Sequence, residues 1–208
     1  MNSAPNRQAA RSAATRAALI GAARPLFGQR GYADVATEEI VHAAGVTRGA
    51  LYHQFADKRE LFLAVVEDVE VEIIGRVSVR LAAADPADPL VALADGAEVL
   101  IDAILEPDIR RITALDAPSV LGWDTWREIS ERYGLGLIDA ALTGAIAQGS
   151  LPEQPVRPLA HLLLGALNEG AMYVALADDV TTARTQTLAA LRAMLETMRS
   201  RPADPAGR

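Results

Sequence analysis

Apolar residues recur at spacings of three and four along nearly the whole chain, and no stretch alternates apolar and polar residues as a half-buried strand would. This spacing is typical of amphipathic helices, so the sequence predicts an all-α protein. Glycine, proline and aspartate residues separate the periodic segments. The predicted helices cover residues 8–29, 37–44, 48–54, 58–84, 89–105, 108–115, 123–148, 156–177 and 181–200.

Prolines mark several predicted helix ends, and one falls inside a predicted helix. Pro25 removes a backbone donor from segment 8–29 and is expected to kink it. Asp85–Pro86 and Pro118 instead fall where predicted helices stop. The last residues, 201–208, have the composition of a disordered tail.

The most apolar run, residues 159–177, is nearly long enough to cross a bilayer. Asn168 and Glu169 lie near its middle, where a charge in lipid is costly. We therefore expect a buried helix in a soluble, cytoplasmic protein. The absence of cysteine excludes disulfides, thiolate metal sites and a cysteine nucleophile.

Three helix starts between residues 37 and 60 carry capping signals. Thr37 precedes two glutamates and is expected to cap one helix through its hydroxyl. Thr47 is expected to cap the next helix. Asp57 followed by Glu60 resembles a capping box at the start of the long helix 58–84.

The two short helices 37–44 and 48–54 are joined by the glycine-containing turn AAGV, residues 43–46. Two short helices joined in this way form a helix-turn-helix. A plain helical hairpin with its polar side in water has the same outline, so the outline alone does not indicate DNA binding.

The polar side of helix 48–54 adds more specific information. At about 100° per residue, Leu51 and Phe55 face the preceding helix, while Gly49 and His53 face outward. Gly49 costs roughly 1 kcal/mol of helix stability, yet its bare backbone permits close approach to a groove of duplex DNA. The residues predicted to contact DNA are Thr37, Thr47, Arg48, Gly49, Ala50, Tyr52, His53 and Lys58.

Within this set we predict a division of roles. Arg48 suits two hydrogen bonds to a guanine edge, and thereby reads sequence. Hydroxyl, ring and ammonium donors suit phosphate contacts, which position the protein without reading sequence. The predicted phosphate contacts are Thr37, Thr47, Tyr52, His53 and Lys58.

The charge is divided unevenly along the chain. Residues 1–60 carry a balance of +3 and residues 61–208 a balance of −10, which together give the net charge of −7. Residues 1–33 contain five arginines and no acidic residue. A basic N-terminal part on an acidic remainder is typical of a protein that meets a polyanion at one end.

Residues 22–66 closely resemble the N-terminal domain of TetR-family transcriptional regulators. The resemblance is carried by AARPLFGQRGYADVATEEIVHAAGVTRGALYHQFADKRELFLAVV, and Pro25 departs from the usual pattern. The matching residues are Phe27, Gly31, Tyr32, Thr37, Ile40, Ala43, Ala44, Gly45, Val46, Leu51, Tyr52, Phe55, Lys58 and Leu61. The resemblance covers about a fifth of the chain.

The resemblance implies a fold and a function. Residues 1–57 would form an N-terminal arm and a three-helix DNA-binding domain, with 48–54 as the recognition helix. Residues 58–200 would form a larger helical domain that binds an effector and dimerises, with 58–84 connecting the two. The protein would be a homodimer on a near-palindromic operator, and a small hydrophobic or amphipathic effector would release it.

The acidic remainder of the chain offers weaker candidates for the effector pocket and for the dimer contact. Aromatic residues are scarce, so their clustering is informative: it indicates either packing in the core or at a dimer rim, which large aromatics favour slightly, or the wall of an effector pocket. The candidate pocket residues are Trp123, Trp126, Tyr133, Asn168, Glu169 and Tyr173. The candidate dimer residues are Leu162, Gly165, Ala166, Leu188, Leu191 and Leu195.

Two other classes of protein, enzymes and helical adaptors, fit the sequence less well. An enzyme is disfavoured because the chain contains three histidines and none of the common catalytic or phosphate-binding motifs. We expect no cofactor and no metal. A helical adaptor that binds protein partners without DNA remains the alternative, and salt-dependent duplex binding separates the two.

Overall fold

The computed structural model describes residues 4–84 and 88–199, with side chains from residue 7 onward, and this part of the chain contains helices and no strands. The predicted all-α class is therefore confirmed. The ten α-helices are α1 Ala4–Arg30, α2 Thr37–Ala43, α3 Arg48–Gln54, α4 Lys58–Ala83, α5 Pro89–Ile104, α6 Pro107–Arg110, α7 Ala117–Leu121, α8 Trp123–Ala147, α9 Val156–Leu176 and α10 Val180–Thr197, with a π-helical segment, Arg111–Asp116, between α6 and α7.

The chain packs as two compact units. The first contains the described residues up to Glu72 together with Ile104–Ile129. The second contains Ile73–Ala103 and the described residues from Ser130 onward. The units are defined by packing, and the functional boundary between residues 57 and 58 stays a prediction. The predicted break at Asp85–Pro86 and the tail 201–208 lie outside the described residues.

Most helix bounds agree with the sequence-based prediction, and the differences have local reasons. α1 begins at Ala4, four residues before the predicted start. Pro25 lies inside this single helix, as predicted, and the kink expected there stays a prediction. Gly21, whose carbonyl loses its donor because of Pro25, is exposed, so water can satisfy that carbonyl.

The predicted helix 108–115 is wrong in its details. The structure has a four-residue α6, the π-helical segment Arg111–Asp116 and a five-residue α7 that includes Pro118. Pro118 is the second residue of α7, where a missing backbone donor does not break the helix. The proline therefore starts a helical turn instead of ending one.

The core of the first unit is built around aromatic rings. Phe27 of α1 and Phe62 of α4 meet edge to face with ring centroids 5.2 Å apart. Tyr32 packs beside both rings, with centroids 5.8 Å from Phe27 and 5.1 Å from Phe62. Phe27 and Phe62 are fully buried, so this cluster joins the end of α1 to α4.

The core of the second unit is aliphatic and involves α5, α8, α9 and α10. It includes Leu93, Leu142, Leu164 and Leu195. α9 is also long and apolar enough to cross a membrane by length and composition, with a mean hydropathy of 1.3 over its most apolar window. A core helix passes the same test, and the inward side of α9 lies in this core.

Arginines of α10 tie that helix to α5. Arg184 donates to both Glu98 and Asp102, at 2.9 Å and 2.5 Å, and Arg192 donates to the other oxygen of Glu98 at 2.5 Å. These hydrogen bonds from both arginines lower the pKa of Glu98. The network fixes how the last helix lies on the second unit's core.

Candidate DNA-binding site

A short turn ending at Gly45 and Val46 joins α2 to α3. Gly45 has φ +65°, a left-handed conformation that costs glycine little and other residues more. The Val46 amide donates to the Val41 carbonyl at 3.2 Å and closes the turn. Thr47 then caps α3, because its hydroxyl oxygen accepts the Ala50 amide at 3.1 Å. The predicted cap at Thr47 is confirmed.

The predicted cap at Thr37 is wrong. Ala36 occupies the N-cap position, and Thr37 is the first helical residue. The Glu39 carboxylate accepts the Ala36 amide at 3.0 Å, while the Thr37 hydroxyl donates to Glu38. A glutamate three residues after the cap satisfies the orphan amide, so the helix start does not need the hydroxyl. The half-buried Thr37 side chain stays a predicted DNA contact.

The predicted capping at the start of α4 is confirmed with a shift of one residue. The Asp57 carboxylate accepts the Glu60 amide at 2.7 Å. The Glu60 carboxylate reaches back to the Ala56 amide at 2.6 Å, one residue before the expected partner.

The structure orients α3 as the periodicity predicts. Leu51 is buried and Phe55, directly after the helix, is buried as well, both in the first unit with Ile40. The opposite side is open to solvent. The exposed residues on it are Arg48, Gly49, Tyr52 and His53, with Ala50 half-buried.

Arg48 is held loosely at the N-terminal end of α3. Its guanidinium lies 3.3 Å from the Glu38 carboxylate and 5.6 Å from the centroid of the Tyr52 ring. The pKa of Glu38 is lowered, first by a backbone hydrogen bond at the start of α2 and then by the Thr37 hydroxyl. Both charged groups are exposed, so water and salt weaken the pair and the guanidinium is available to another partner.

Among the residues that the structure describes, Gly49 has no packing partner that would require a glycine. A Cβ built at this position would meet only the Thr47 hydroxyl oxygen, at 3.9 Å. The chain's own packing therefore tolerates a side chain at this position. Contacts within the chain do not explain the absence of a side chain here, whereas close approach by a binding partner would.

Replacing Gly49 by alanine is expected to raise the free energy of unfolding by up to about 1 kcal/mol, because alanine favours the helix. The same change is expected to weaken binding to duplex DNA, because the new methyl group stands between α3 and the groove. Thermal unfolding and fluorescence anisotropy of a labelled duplex measure the two effects.

Gly75 of α4 supplies the matched control. It is exposed, and a Cβ there meets nothing within 4 Å. Gly75→Ala should stabilise the protein and leave duplex binding unchanged. Equal duplex affinity in both variants would contradict the role given to Gly49.

Lys58 is already engaged inside the first unit. Its ammonium donates to the carbonyls of Tyr32 at 2.8 Å and Val35 at 3.0 Å, and lies 4.2 Å from the centroid of the Tyr32 ring. One of its three N–H groups is left for a phosphate. The phosphate contact stays a prediction, and Lys58→Ala is not a clean test of it because the variant also loses these internal bonds.

Sequence reasoning missed the residues of α1 that support α3. The Gln54 amide donates to the Ser12 hydroxyl at 2.8 Å, and the Arg16 guanidinium lies 4.4 Å from the Phe55 ring centroid. Only the acid-free run of arginines hinted that α1 belongs to the basic surface. Part of that charge therefore serves to hold the end of α3 in place.

The candidate pocket residues are divided between the two units. Trp123 is 57% exposed and stacks on the buried Trp126, with ring centroids 4.9 Å apart, in the first unit. Tyr133 and Asn168 are half-buried in the second unit. Glu169 and Tyr173 are exposed on one side of α9 in the described part of the chain. The effector pocket stays a prediction.

The candidate dimer residues also fall into two groups. Leu188 and Leu195 are only 3% and 2% exposed, and Leu191 packs against the same aliphatic core. Leu188 and Leu195 have little apolar surface left for a second copy, whereas Leu191 is half-buried. The assignment of all three to a dimer interface stays a prediction. Residues that share one open side, termed here the exposed α9 face, are Leu162, Gly165, Ala166, Glu169, Tyr173 and Leu176.

Two family models match the chain. Residues 19–65 match the model described as bacterial regulatory proteins, tetR family. Residues 90–198 match the model described as tetracyclin repressor-like, C-terminal domain, which spans more than half of the chain. The first match contains α2 and α3 with the exposed residues described above, and the second contains the exposed α9 face.

Individual proteins resemble the chain over nearly its full length. The transposon Tn10 TetC protein of Escherichia coli is 26% identical over 196 residues, which cover 94% of this chain and 98% of that protein. A TetR-family transcriptional regulator from Pectobacterium atrosepticum is 33% identical with a TM-score of 0.82, covering 93% of this chain and 98% of the other. The fold also matches RolR in complex with resorcinol, at 23% identity and a TM-score of 0.72, over 94% and 98% of the two chains. With a helix-turn-helix and a helical remainder that both match, the chain belongs to the TetR family of DNA-binding transcriptional regulators.

Proposed function

We propose that this regulator is a homodimeric repressor that binds a near-palindromic operator through α3 and is released by a small effector. The single observation that carries the proposal is the open side of α3. It combines an exposed guanidinium, phenol and imidazole with a glycine that internal packing does not require. Such a surface suits the major groove, which admits a helix and distinguishes all four base pairs.

In this proposal Arg48 reads a guanine, and Tyr52 and His53 with the hydroxyls of Thr37 and Thr47 contact phosphates. Gly49 and Ala50 let the backbone approach the bases. In a dimer, two copies of α3 enter successive major grooves about one helical turn apart. The spacing of the two half-sites in the operator is then a property of the dimer.

Selection of bound duplexes from random DNA tests the proposal. A near-palindromic consensus should emerge, and log affinity should fall linearly with log salt concentration, by about 0.9 for each phosphate contacted. Failure to enrich any duplex, or binding that is insensitive to salt, would refute the DNA-binding role of α3. The same outcome would revive the adaptor alternative, which the comparisons do not support.

We assign the dimer contact to the exposed α9 face. Leu162, Tyr173 and Leu176 are 72%, 56% and 58% exposed, on one side of an otherwise well-packed helix. Gly165 and Ala166 between them are small enough for close approach of a second helix. Large apolar side chains aligned on one face are typical of an interface rather than of a solvated surface.

Release by an effector is part of the same proposal. RolR, which shares the fold, was solved with the small phenol resorcinol. An effector of this chain would have to bind one dimer geometry better than the other, because only differential affinity shifts an equilibrium. The TetR family consists of regulators rather than enzymes. We place the protein in the cytoplasm, where its operator is.

A further inference from the structure

The π-helical segment Arg111–Asp116 has no role in the function proposed above. Its register is defined by the Ala117 amide, which donates to the Ile112 carbonyl five residues earlier. An α-helix would direct that amide to Thr113 instead. Short π segments are rare and occur frequently at functional sites, so this one calls for an explanation.

Trp126 forms a hydrogen bond that depends on the π register. The next amide in the π pattern would belong to Pro118, which has no N–H to give the Thr113 carbonyl. That carbonyl accepts the indole N–H of the buried Trp126 at 3.2 Å. In an α register the Ala117 amide would compete with the indole for the Thr113 carbonyl, which has two lone pairs to share, so the strength of the indole bond is sensitive to the register.

At its end the segment holds the connection between α1 and α2. Gly31, at φ +86°, ends α1 by donating its amide to the Phe27 carbonyl at 2.8 Å. The following amide, of Tyr32, donates to the Asp116 carboxylate at 2.7 Å. Asp116 is also the N-cap residue of α7, where the helix dipole favours a carboxylate, so its side chain joins the start of α7 to the connection after α1.

The glycine leaves room for this contact. A Cβ at Gly31 would lie 3.3 Å from both the Arg111 guanidinium and the Asp116 carboxylate. Those distances are tighter than most van der Waals contacts, and the positive φ would add strain. Gly31 therefore both ends α1 and admits the two charged groups of the π segment.

From Tyr32 the connection continues into the helix-turn-helix. The Tyr32 and Val35 carbonyls accept the Lys58 ammonium, at the point where the chain leaves α3 and enters α4. In parallel, Arg59 donates to the Val120 and Leu121 carbonyls at 3.1 Å and 2.7 Å, at the end of α7. The π segment and α7 are thus hydrogen-bonded to the residues that flank the helix-turn-helix on both sides.

We propose that Asp116 is a positioning residue for DNA recognition, and that the π register of Arg111–Asp116 couples Trp126 to the helix-turn-helix. The proposal rests on the DNA-binding role proposed for α3. A change of one residue in register turns the following side chain by about 100°, which would carry Asp116 away from Tyr32. The two registers are discrete, as a two-state coupling element requires.

Reciprocal coupling provides the test. In a Trp123→Phe background, Trp126 is the only tryptophan, since the chain contains two. Binding of a selected duplex, followed by anisotropy of a label on the DNA, should change Trp126 emission, because coupling between two sites acts in both directions. Asp116→Ala in this background should lower duplex affinity by about 2- to 30-fold and abolish the emission change at saturating duplex.

Two variants separate positioning from charge. Removing a carboxylate alone should strengthen binding to a polyanion, and Asp124→Ala, at the exposed start of α8, measures that effect. Asp116→Asn loses the charge but keeps an acceptor oxygen, so it should restore both affinity and the emission response. If Asp116→Ala binds duplex as Asp124→Ala does, or keeps the emission change, the inference is overturned.

Pro118→Ala tests the other end of the segment without touching Asp116. The new amide would compete with Trp126 for the Thr113 carbonyl, so emission of the free protein should shift and duplex affinity should fall. No change in either quantity also overturns the inference. A parent chain that binds no selected duplex would instead refute the DNA-binding proposal, so the two failures are distinguishable.

Discussion

Replacing Leu162 by glutamate is expected to convert the protein from a dimer into a monomer. Leu162 is 72% exposed in the single chain and lies on the exposed α9 face. A carboxylate placed there would be buried against a second copy without a partner, which disfavours association. Analytical ultracentrifugation at micromolar concentration measures the change.

The loss of the dimer should have a large effect on operator binding. Two linked copies of α3 bind two half-sites with an avidity that exceeds either contact by about 100-fold or more. Leu162→Glu should therefore lose about that factor on the full palindrome and bind an isolated half-site as the parent does. An unchanged half-site affinity also shows that the variant is folded.

Val79 offers a control with the same exposure and the same change of charge. It is 72% exposed on α4, outside the exposed α9 face. Val79→Glu should remain dimeric and bind the palindrome normally. A Leu162→Glu variant that sediments as a dimer would refute the assignment of the interface to α9.

Replacing Arg48 by alanine is expected to cost about 1–3 kcal/mol of operator affinity and to relax base preference at one position of each half-site. The physical reason is the loss of a paired hydrogen bond to a guanine edge. In the free protein Arg48 makes an exposed ion pair with Glu38 and lies over the exposed Tyr52 ring, so stability should change little. Anisotropy titrations with duplexes substituted at each position measure both effects.

Two controls separate base reading from general attraction. Arg157 is an exposed arginine of α9, and Arg157→Ala removes the same charge from the other compact unit. It should leave base preference intact. Tyr52→Phe removes one hydroxyl and should weaken all duplexes alike. If Arg48→Ala and Tyr52→Phe gave the same profile across duplexes, the division between base and phosphate contacts would be rejected.

Local signals made the helix-turn-helix predictable. Thr47, the Gly45 turn and the alternating sides of α3 depend on residues within a few positions of one another, and the structure places them as predicted. The apolar periodicity of a helix reflects burial of one side and is likewise visible within a few positions, so it located nearly every helix. Thr37 is the exception because two capping arrangements compete at this helix start. The Glu39 carboxylate accepts the Ala36 amide, so Ala36 rather than Thr37 is the N-cap.

Contacts between segments that are distant in the sequence explain what the sequence-based predictions left open or missed. The stripe Leu188, Leu191 and Leu195 has the same spacing whether it faces a core or a partner, so periodicity cannot separate the two. From the sequence, Lys58 is expected to be free for a phosphate, whereas in the fold its ammonium donates to the Tyr32 and Val35 carbonyls. The π segment is hydrogen-bonded to Trp126 and, through Asp116, to Tyr32, and no residue near the segment in the sequence reveals these contacts.

The sequence by itself determined the helical class, the helix-turn-helix and the open side of its second helix, because each follows from spacing and capping within one or two turns. The tertiary structure alone decided which apolar side chains are buried within the chain and which polar groups already have partners inside it. It also placed Asp116 against Tyr32, 84 residues apart in the chain. Hydrogen bonds and burial between distant segments leave no local pattern in the sequence, so only the folded chain shows them.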